Sequence, residues 1–197
     1  MKRRIAFFDF DGTITTKDTL LEVIKYQKGN LFFYIGFLLN APFLIAFKLK
    51  IIRNSTAKQM VLKFFFNKTP LSLFQKRCDD FAVEKLPALI RPKALNEIKK
   101  LKELNAEVVI VSASAANWLQ QWANEVGAKL ICTNLQIKNE KLTGNIEGEN
   151  CHGEEKAKRI NAAYDLSQYD EIYCYGDSSG DKPMLAIGTH SFYRPFR

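Results

Sequence analysis

The sequence predicts an α/β fold, with a central parallel sheet flanked by helices and an all-helical segment inserted near its start. Short apolar runs at residues 5–8, 107–111 and 170–175 alternate with helical patterns over the second half of the chain, which is how parallel strands joined by crossover helices read. From about residue 17 to 90 the periodicity is helical and no second strand appears. A chain of 197 residues holds one sizeable core, or a core with a smaller insertion. The expected division is a core built from residues 1–16 and 91–197 and a helical insertion at 17–90.

Residues 5–8 form an unbroken apolar run, as in a strand buried on both faces. Thr19-Leu20-Leu21-Glu22 reads as a capping box and Gly29 as a stop, so a helix is expected near 19–28. Fourteen of the seventeen residues at 31–47 are apolar, and Asn40-Ala41-Pro42 breaks the run into two short helices. Ser55 or Thr56 can cap the next helix. Thr69-Pro70 opens another, which Leu86-Pro87 closes. Pro92 starts a helix that reaches about Leu104, and a β-branched strand follows at 107–111. A helix at 116–126 stops at Gly127, and a short strand lies at 129–132. Residues 135–147 alternate about Asn139-Glu140 like a small hairpin. A helix at 153–163, a strand at 170–175, a short helix near 183–187 and a last strand at 191–193 complete the chain.

The composition, 47% hydrophobic and 25% charged, is that of a globular protein rather than a disordered one. The net charge of +8 favours anionic partners, whether nucleic acid, phosphorylated metabolites or an acidic membrane face, and a solubilising surface accounts for it equally well. No motif asks for nucleic acid, and none bears on oligomeric state. Cys78, Cys132, Cys151 and Cys174 form no C-x-x-C pair and there are only two histidines, which argues against a zinc site. Scattered cysteines fit a reducing cytoplasm. The basic start MKRRIAFFDF has its apolar run interrupted by Asp9, too early for a signal peptide.

In open parallel sheets ligands sit beyond the carboxyl ends of the strands. That rule selects Asp9 and Asp11, Ser112, Lys156, and Asp177 with Asp181. Converging carboxylates repel: two unit charges about 4 Å apart cost about 4 kcal/mol at an effective dielectric near 20. A divalent cation removes that cost, and an oxygen-only donor set favours Mg2+. Lys156 and Ser112 offer a charge and a hydroxyl to a phosphate, and the backbone N–H groups of 10–13, freed by Gly12, can form an anion nest. Of two carboxylates two residues apart, one can attack phosphorus while the other protonates the leaving oxygen. Taken singly, each residue has an ordinary use: the aspartates as turn residues or caps, Ser112 as a helix cap, Lys156 on a solvated face. The reading rests on their order and joint spacing. Asn145, Asn150 and His152 are expected to be structural.

DFDGT at 9–13, VSAS at 111–114, Lys156 in GEEKAKRI and GDSSGD at 176–181 resemble, in order, the four motifs of the haloacid dehalogenase superfamily. The resemblance covers residues 5–15 and 92–190. An insertion directly after the first motif is similar to the helical cap of the phosphoserine phosphatase subfamily. The resemblance implies a Rossmann-like core with the site at the carboxyl edge of the sheet and a phosphomonoester hydrolase with a Mg2+ cofactor. Asp9 would be nucleophile and metal ligand. Asp11 would be general acid and then base, lending its backbone carbonyl to the metal. Gly12, Thr13, Ser112, Ala113 and Lys156 would hold the phosphoryl group. Asp177 would ligate Mg2+, and Asp181 would complete or support its shell. In the cap, Asp18 fills the place of an acidic residue and Arg53 is the candidate for a substrate-binding arginine. Gly180 stands where the phosphoserine phosphatases carry asparagine.

Lys48, Lys50, Arg53 and Lys58 follow the apolar run at once. Two readings stay open: residues 31–58 meet an anionic membrane surface, or the hairpin is buried as the core of the cap. Together with FYRP at 192–195 the arrangement resembles the phosphatidylglycerophosphatase C family, which implies a lipid-linked phosphate and a peripheral place at the inner membrane face. The alternatives are a small soluble ester such as phosphoserine or, in another class, a phosphoacceptor signalling module or a lipid-binding module without turnover. The long helical insertion after the first strand speaks against a signalling receiver.

Overall fold

The structure is a computed structural model that describes residues 2–49 and 51–197; Met1 and Lys50, the latter part of the basic stretch above, lie outside the described residues. Six strands form one sheet in the order β4-β3-β2-β1-β5-β6. β1 (Arg4–Phe8) is central, between β2 (Ala106–Ala115) and β5 (Glu171–Gly176). β3 (Lys129–Lys138) and β4 (Lys141–Glu147) extend one side and β6 (His190–Tyr193) the other. All pairings are parallel except that of β3 with β4.

Ile5, Ala6, Phe7 and Phe8 are fully buried because both faces of the sheet are covered. The two-residue period of the strand divides them. Ala6 and Phe8 pack with Val108 and Ile110 against α6 (Pro92–Glu103) and α7 (Ala116–Glu125), through Ile98, Leu101, Trp118 and Trp122. Ile5 and Phe7 pack with Val109 and Val111 against α8 (Glu154–Ala163) and α9 (Lys182–Leu185), through Ile160 and Met184.

Between β1 and α6 lie α1 (Thr19–Lys28), α2 (Asn30–Leu39), α3 (Ala41–Lys48), α4 (Asn54–Phe66) and α5 (Leu71–Glu84). Phe33, Phe65, Phe66, Phe74 and Phe81 from these helices belong to the same apolar cluster as Phe8. The β3–β4 hairpin holds α4 closely: a Cβ on Gly144 would lie 2.4 Å from the Lys63 Cα. Lys68 N–H donates to the Leu142 carbonyl at 2.8 Å, and Leu142 N–H to that of Thr69 at 3.0 Å.

Four local expectations change. Asp18, not Thr19, caps α1, accepting from the Leu21 N–H at 3.1 Å; Thr19 is buried and bonded elsewhere. α4 starts at Asn54 without a side-chain cap from Ser55 or Thr56. The short strand at 129–132 and the first arm of the hairpin are one strand, β3, which turns into β4 at Asn139 and Glu140, both left-handed with φ 50° and 56°. β2 runs beyond residue 111 to Ala115, with its register against β3 shifting between Ser112 and Ala115.

The apolar run divides by face. α2 and α3 meet at a 63° bend, where Asn40 Nδ2 donates to the Gly36 carbonyl at 2.8 Å. On the packed face a Cβ on Gly36 would come 2.3 Å from the Phe65 ring, so only glycine fits there. On the other face Leu31, Tyr34, Leu38, Leu39 and Ile45 are exposed, as are Leu49 and Ile51 beyond α3; Leu31 is 77% and Leu38 74% accessible. Among the described residues no single helix is long and apolar enough to cross a membrane, while the bent pair passes that test by length and composition.

Candidate active site

The carboxyl ends of β1 and β5 and the start of α8 bring Asp9, Lys156, Asp177 and Asp181 together. Asp9 extends β1 by one residue, its N–H donating to the Tyr175 carbonyl at 2.9 Å. The turn at Phe10–Ile14 then reverses at Gly12, whose φ is 83°. A Cβ there would lie 2.5 Å from Asp177 Oδ2, so glycine serves both the backbone and the close approach. Lys156 Nζ donates to Asp9 Oδ1 and to Asp181 Oδ1, each at 2.6 Å. Thr13 Oγ1 donates to Asp9 Oδ2 at 2.9 Å. Oxygens of Asp9, Asp177 and Asp181 lie within 4.8 Å of one another.

Lys156 is buried. Burial alone would lower its pKa, but the charges of Asp9 and Asp181 overcome this and raise it. Burial pushes the Asp9 carboxyl up to about 7 against the pull of Lys156. Asp177 is also raised, by burial and then by Asp181, with Arg197 opposing. Burial works against ionised Asp181, yet its partners, led by Lys156, hold its pKa below the ordinary value. Asp181 Oδ2 accepts from Asp177 N–H at 3.1 Å and from Ser178 N–H and Oγ at 2.9 and 2.8 Å. Its oxygens are therefore committed to Lys156 and to the 177–178 turn. An all-oxygen donor set with more carboxylate charge than one lysine balances fits a hard divalent cation.

Asp11 reaches the other way. Its Oδ1 accepts from Thr19 N–H and Oγ1 at 2.6 and 2.7 Å, and its Oδ2 from Ser114 Oγ at 2.6 Å. Trp118 Nε1 holds the Thr19 hydroxyl at 3.0 Å. Asp11 is thus pinned between the start of α1 and the loop after β2.

Asp9, Asp11, Ser114, Lys156, Asp177 and Asp181 line a cavity of about 490 Å3. Its polar lining includes Asp9, Asp11, Asp177, Asp181 and Lys156, and its apolar lining Leu21, Phe37, Leu44, Phe47 and Val61. Of the residues expected to hold phosphate, Lys156 and Ala113 line it, whereas Gly12, Thr13 and Ser112 lie outside the lining. The Ser112 oxygen accepts the Ser114 N–H at 2.9 Å and sits 3.5 Å from Asp11. Ser114, which the sequence reading passed over, lines the cavity instead. Its signal was the alternation in VSAS once the strand is continued to Ala115.

In the inserted helices Asp18 lines the cavity, and burial followed by the Asp11 charge lifts its carboxyl to about 6. Arg53 is exposed and lies outside the lining. The basic group in the wall is Lys58, within the stretch 31–58 for which the sequence leaves a membrane-facing and a buried reading open. Lys58 Nζ donates to the Ala113 carbonyl and, at 3.1 Å, to Asn150 Oδ1. Burial brings its pKa down to about 8, with Asp11 and Asp18 opposing. Asn54, Ala57, Lys58 and Val61 all line the cavity, and this i, i+3, i+4, i+7 spacing was legible as one helix face. Asn150 ties Lys58 to Thr133 and Asn54, a structural use as expected. His152 lines the cavity too, and a Cβ on Gly180 would meet its Nε2 at 2.3 Å. Glycine at 180 thus makes room for His152.

The family model described as haloacid dehalogenase-like hydrolase matches residues 6–186. Protein CicA of Caulobacter vibrioides (strain NA1000 / CB15N) is 32% identical over 195 residues, covering 98% of this chain and 86% of that protein. A protein of unknown function from Bordetella pertussis Tohama I superposes with a TM-score of 0.81 at 21% identity, over 96% of this chain and 88% of that one. A substrate-bound phosphoserine phosphatase superposes with a TM-score of 0.73 at 16% identity, over 98% and 86% of the two chains. These two likenesses establish the fold. The family match over nearly the whole chain, including the ends of β1, β2 and β5 and the start of α8 that build the acidic cavity, establishes that the chain belongs to the haloacid dehalogenase-like hydrolases.

Proposed function

We propose that this hydrolase is a Mg2+-dependent phosphomonoesterase working through an aspartyl phosphate on Asp9, and that its substrate is a lipid-linked phosphate such as phosphatidylglycerophosphate. The observation that carries the reading is a single cavity lined both by the acidic cluster and by Phe37, Leu44 and Phe47, these three on the hairpin whose far face is exposed.

Thr13 and Lys156 fix the Asp9 carboxylate, which attacks phosphorus as the ester P–O bond breaks. Asp11 gives its proton to the departing alkoxide. As carboxylate, Asp11 then takes a proton from the water that hydrolyses the acyl phosphate, and free Asp9 is restored. Asp9, Asp177 and the Asp11 backbone carbonyl are the groups that would hold Mg2+, which supplies positive charge to the phosphoryl oxygens. Asp181 braces Lys156 and the turn after β5. Lys58, in the lining, would meet a second anionic group, such as the phosphodiester of a phospholipid headgroup. The exposed hairpin face, with Lys48 and Arg53 after it, suits an anionic bilayer, where each basic residue contributes about 1 kcal/mol.

Phosphoserine is the second reading, favoured by the fold and by Asp18 in the cavity. Turnover of phosphatidylglycerophosphate in detergent and of phosphoserine, each with and without Mg2+, separates the two. The lipid is expected to be hydrolysed faster and only with metal. Faster turnover of phosphoserine would reject the lipid assignment.

A further inference from the structure

Residues 194–197 turn back over the carboxyl end of β5. Arg194, left-handed at φ 55°, donates its N–H to the Gly176 carbonyl at 2.8 Å and its Nε to the Asp177 carbonyl at 3.0 Å. The Phe196 ring stacks on Tyr175 at 5.6 Å and lies 6.4 Å from Phe8. These contacts fix the arm without help from Arg197. At its end the Arg197 guanidinium pairs with Asp177 Oδ2.

That oxygen is the one a Cβ on Gly12 would meet at 2.5 Å. It therefore faces the turn that follows Asp9. Lys156 is already shared by Asp9 and Asp181, and among the described residues Asp177 makes no ion pair other than that with Arg197. The Arg197 side chain is 45% accessible, so it can swing into solvent without unfolding anything around it.

We propose that Arg197 is a tethered competitor of the divalent cation: it balances Asp177 in the metal-free protein and has to release Oδ2 when the cation binds. The inference rests on the metal reading above. A guanidinium and a dication on one carboxylate oxygen repel each other, so the cation displaces the arginine and the arginine weakens the cation. The coupling is reciprocal, because each ligand changes the affinity for the other by the same factor. The metal occupancy of the site would thereby set the state of the side chain at the end of the arm.

Magnesium titration calorimetry on the full chain without substrate tests this, using wild type, Arg197→Gln and Arg197→Lys. Arg197→Gln is expected to bind Mg2+ roughly 1.5- to fivefold more tightly, the factor a part-exposed charge pair commands, and Arg197→Lys to stay near wild type. In a nitrogen-15 spectrum of the wild type, the Arg197 Nε–H signal should shift as Mg2+ saturates. Unchanged or weaker Mg2+ binding by Arg197→Gln, or an Arg197 signal indifferent to saturating Mg2+, overturns the competition alone. Absence of Mg2+ binding in all three proteins overturns the metal reading with it.

Discussion

Lys156 shows how little of a site depends on any one residue's chemistry and how much on where strands end. Alone in EEKAKR it is an ordinary surface lysine. At the start of α8, beside two carboxylates at 2.6 Å, it is a buried cation that is affordable only because it is paired. Asp9, Asp177 and Asp181 were legible for the same reason, since the alternation of strands and helices sends those positions to one edge. Lys58 was not legible as a cavity residue when grouped with Lys48 and Arg53 before it; its position on the α4 stripe with Asn54, Ala57 and Val61 decides where it points. Its pKa near 8 gives a direct check. The ammonium is charged below that pH and loses its charge as pH rises through it. The KM for a substrate with a second anion should therefore climb above pH 8, while Lys58→Met should have a higher and pH-flat KM between 7 and 9. An unchanged KM in Lys58→Met would remove Lys58 from substrate binding.

At the scale of elements, the hairpin of α2 and α3 was legible in its break at Asn40 but not in its facing, because an apolar run without polar punctuation has no face to read. The packed face came from a partner distant in sequence: Phe65 closes over Gly36. The distinction determines which substitutions are informative. Replacing exposed Leu31, Leu38 and Ile45 with serine should leave the melting temperature nearly unchanged and weaken flotation with phosphatidylglycerol vesicles. Binding by the wild type should rise with phosphatidylglycerol content and fall with salt. Phe33→Ser would mislead, since Phe33 is buried and its loss destabilises the fold. Wild type that ignores anionic vesicles would remove the membrane partner. Thr19 is a second lesson at this scale: the capping-box pattern was present, but Asp11 and Trp118 claim the hydroxyl and Asp18 takes over the cap.

Across the whole molecule the inserted helices and the sheet are joined by one apolar cluster, which runs from Phe8 and Trp118 to Phe66 and Phe81. Sequence periodicity separates the inserted helices from the alternating core, and cannot show that their side chains interlock. A cut in one part should therefore be felt in the other. Phe66→Ala is expected to cost about 3–5 kcal/mol and to lower the denaturation midpoint reported by Trp118 and Trp122, both on α7. A tryptophan transition that stayed at the wild-type midpoint while helical content was lost earlier would mean that the insertion unfolds by itself. The shared cluster also serves the chemistry, because it holds the apolar wall of the cavity in register with the strand ends.

The central claim is that Asp9 carries the phosphoryl group. The most direct measurement is mass spectrometry of protein quenched in acid during turnover of a phosphomonoester with Mg2+. The expected result is a phosphoryl adduct on the peptide bearing Asp9, present in wild type and missing from Asp9→Asn, which should be folded and inactive. Turnover with no adduct on that peptide, or near-wild-type activity in Asp9→Asn, would contradict it.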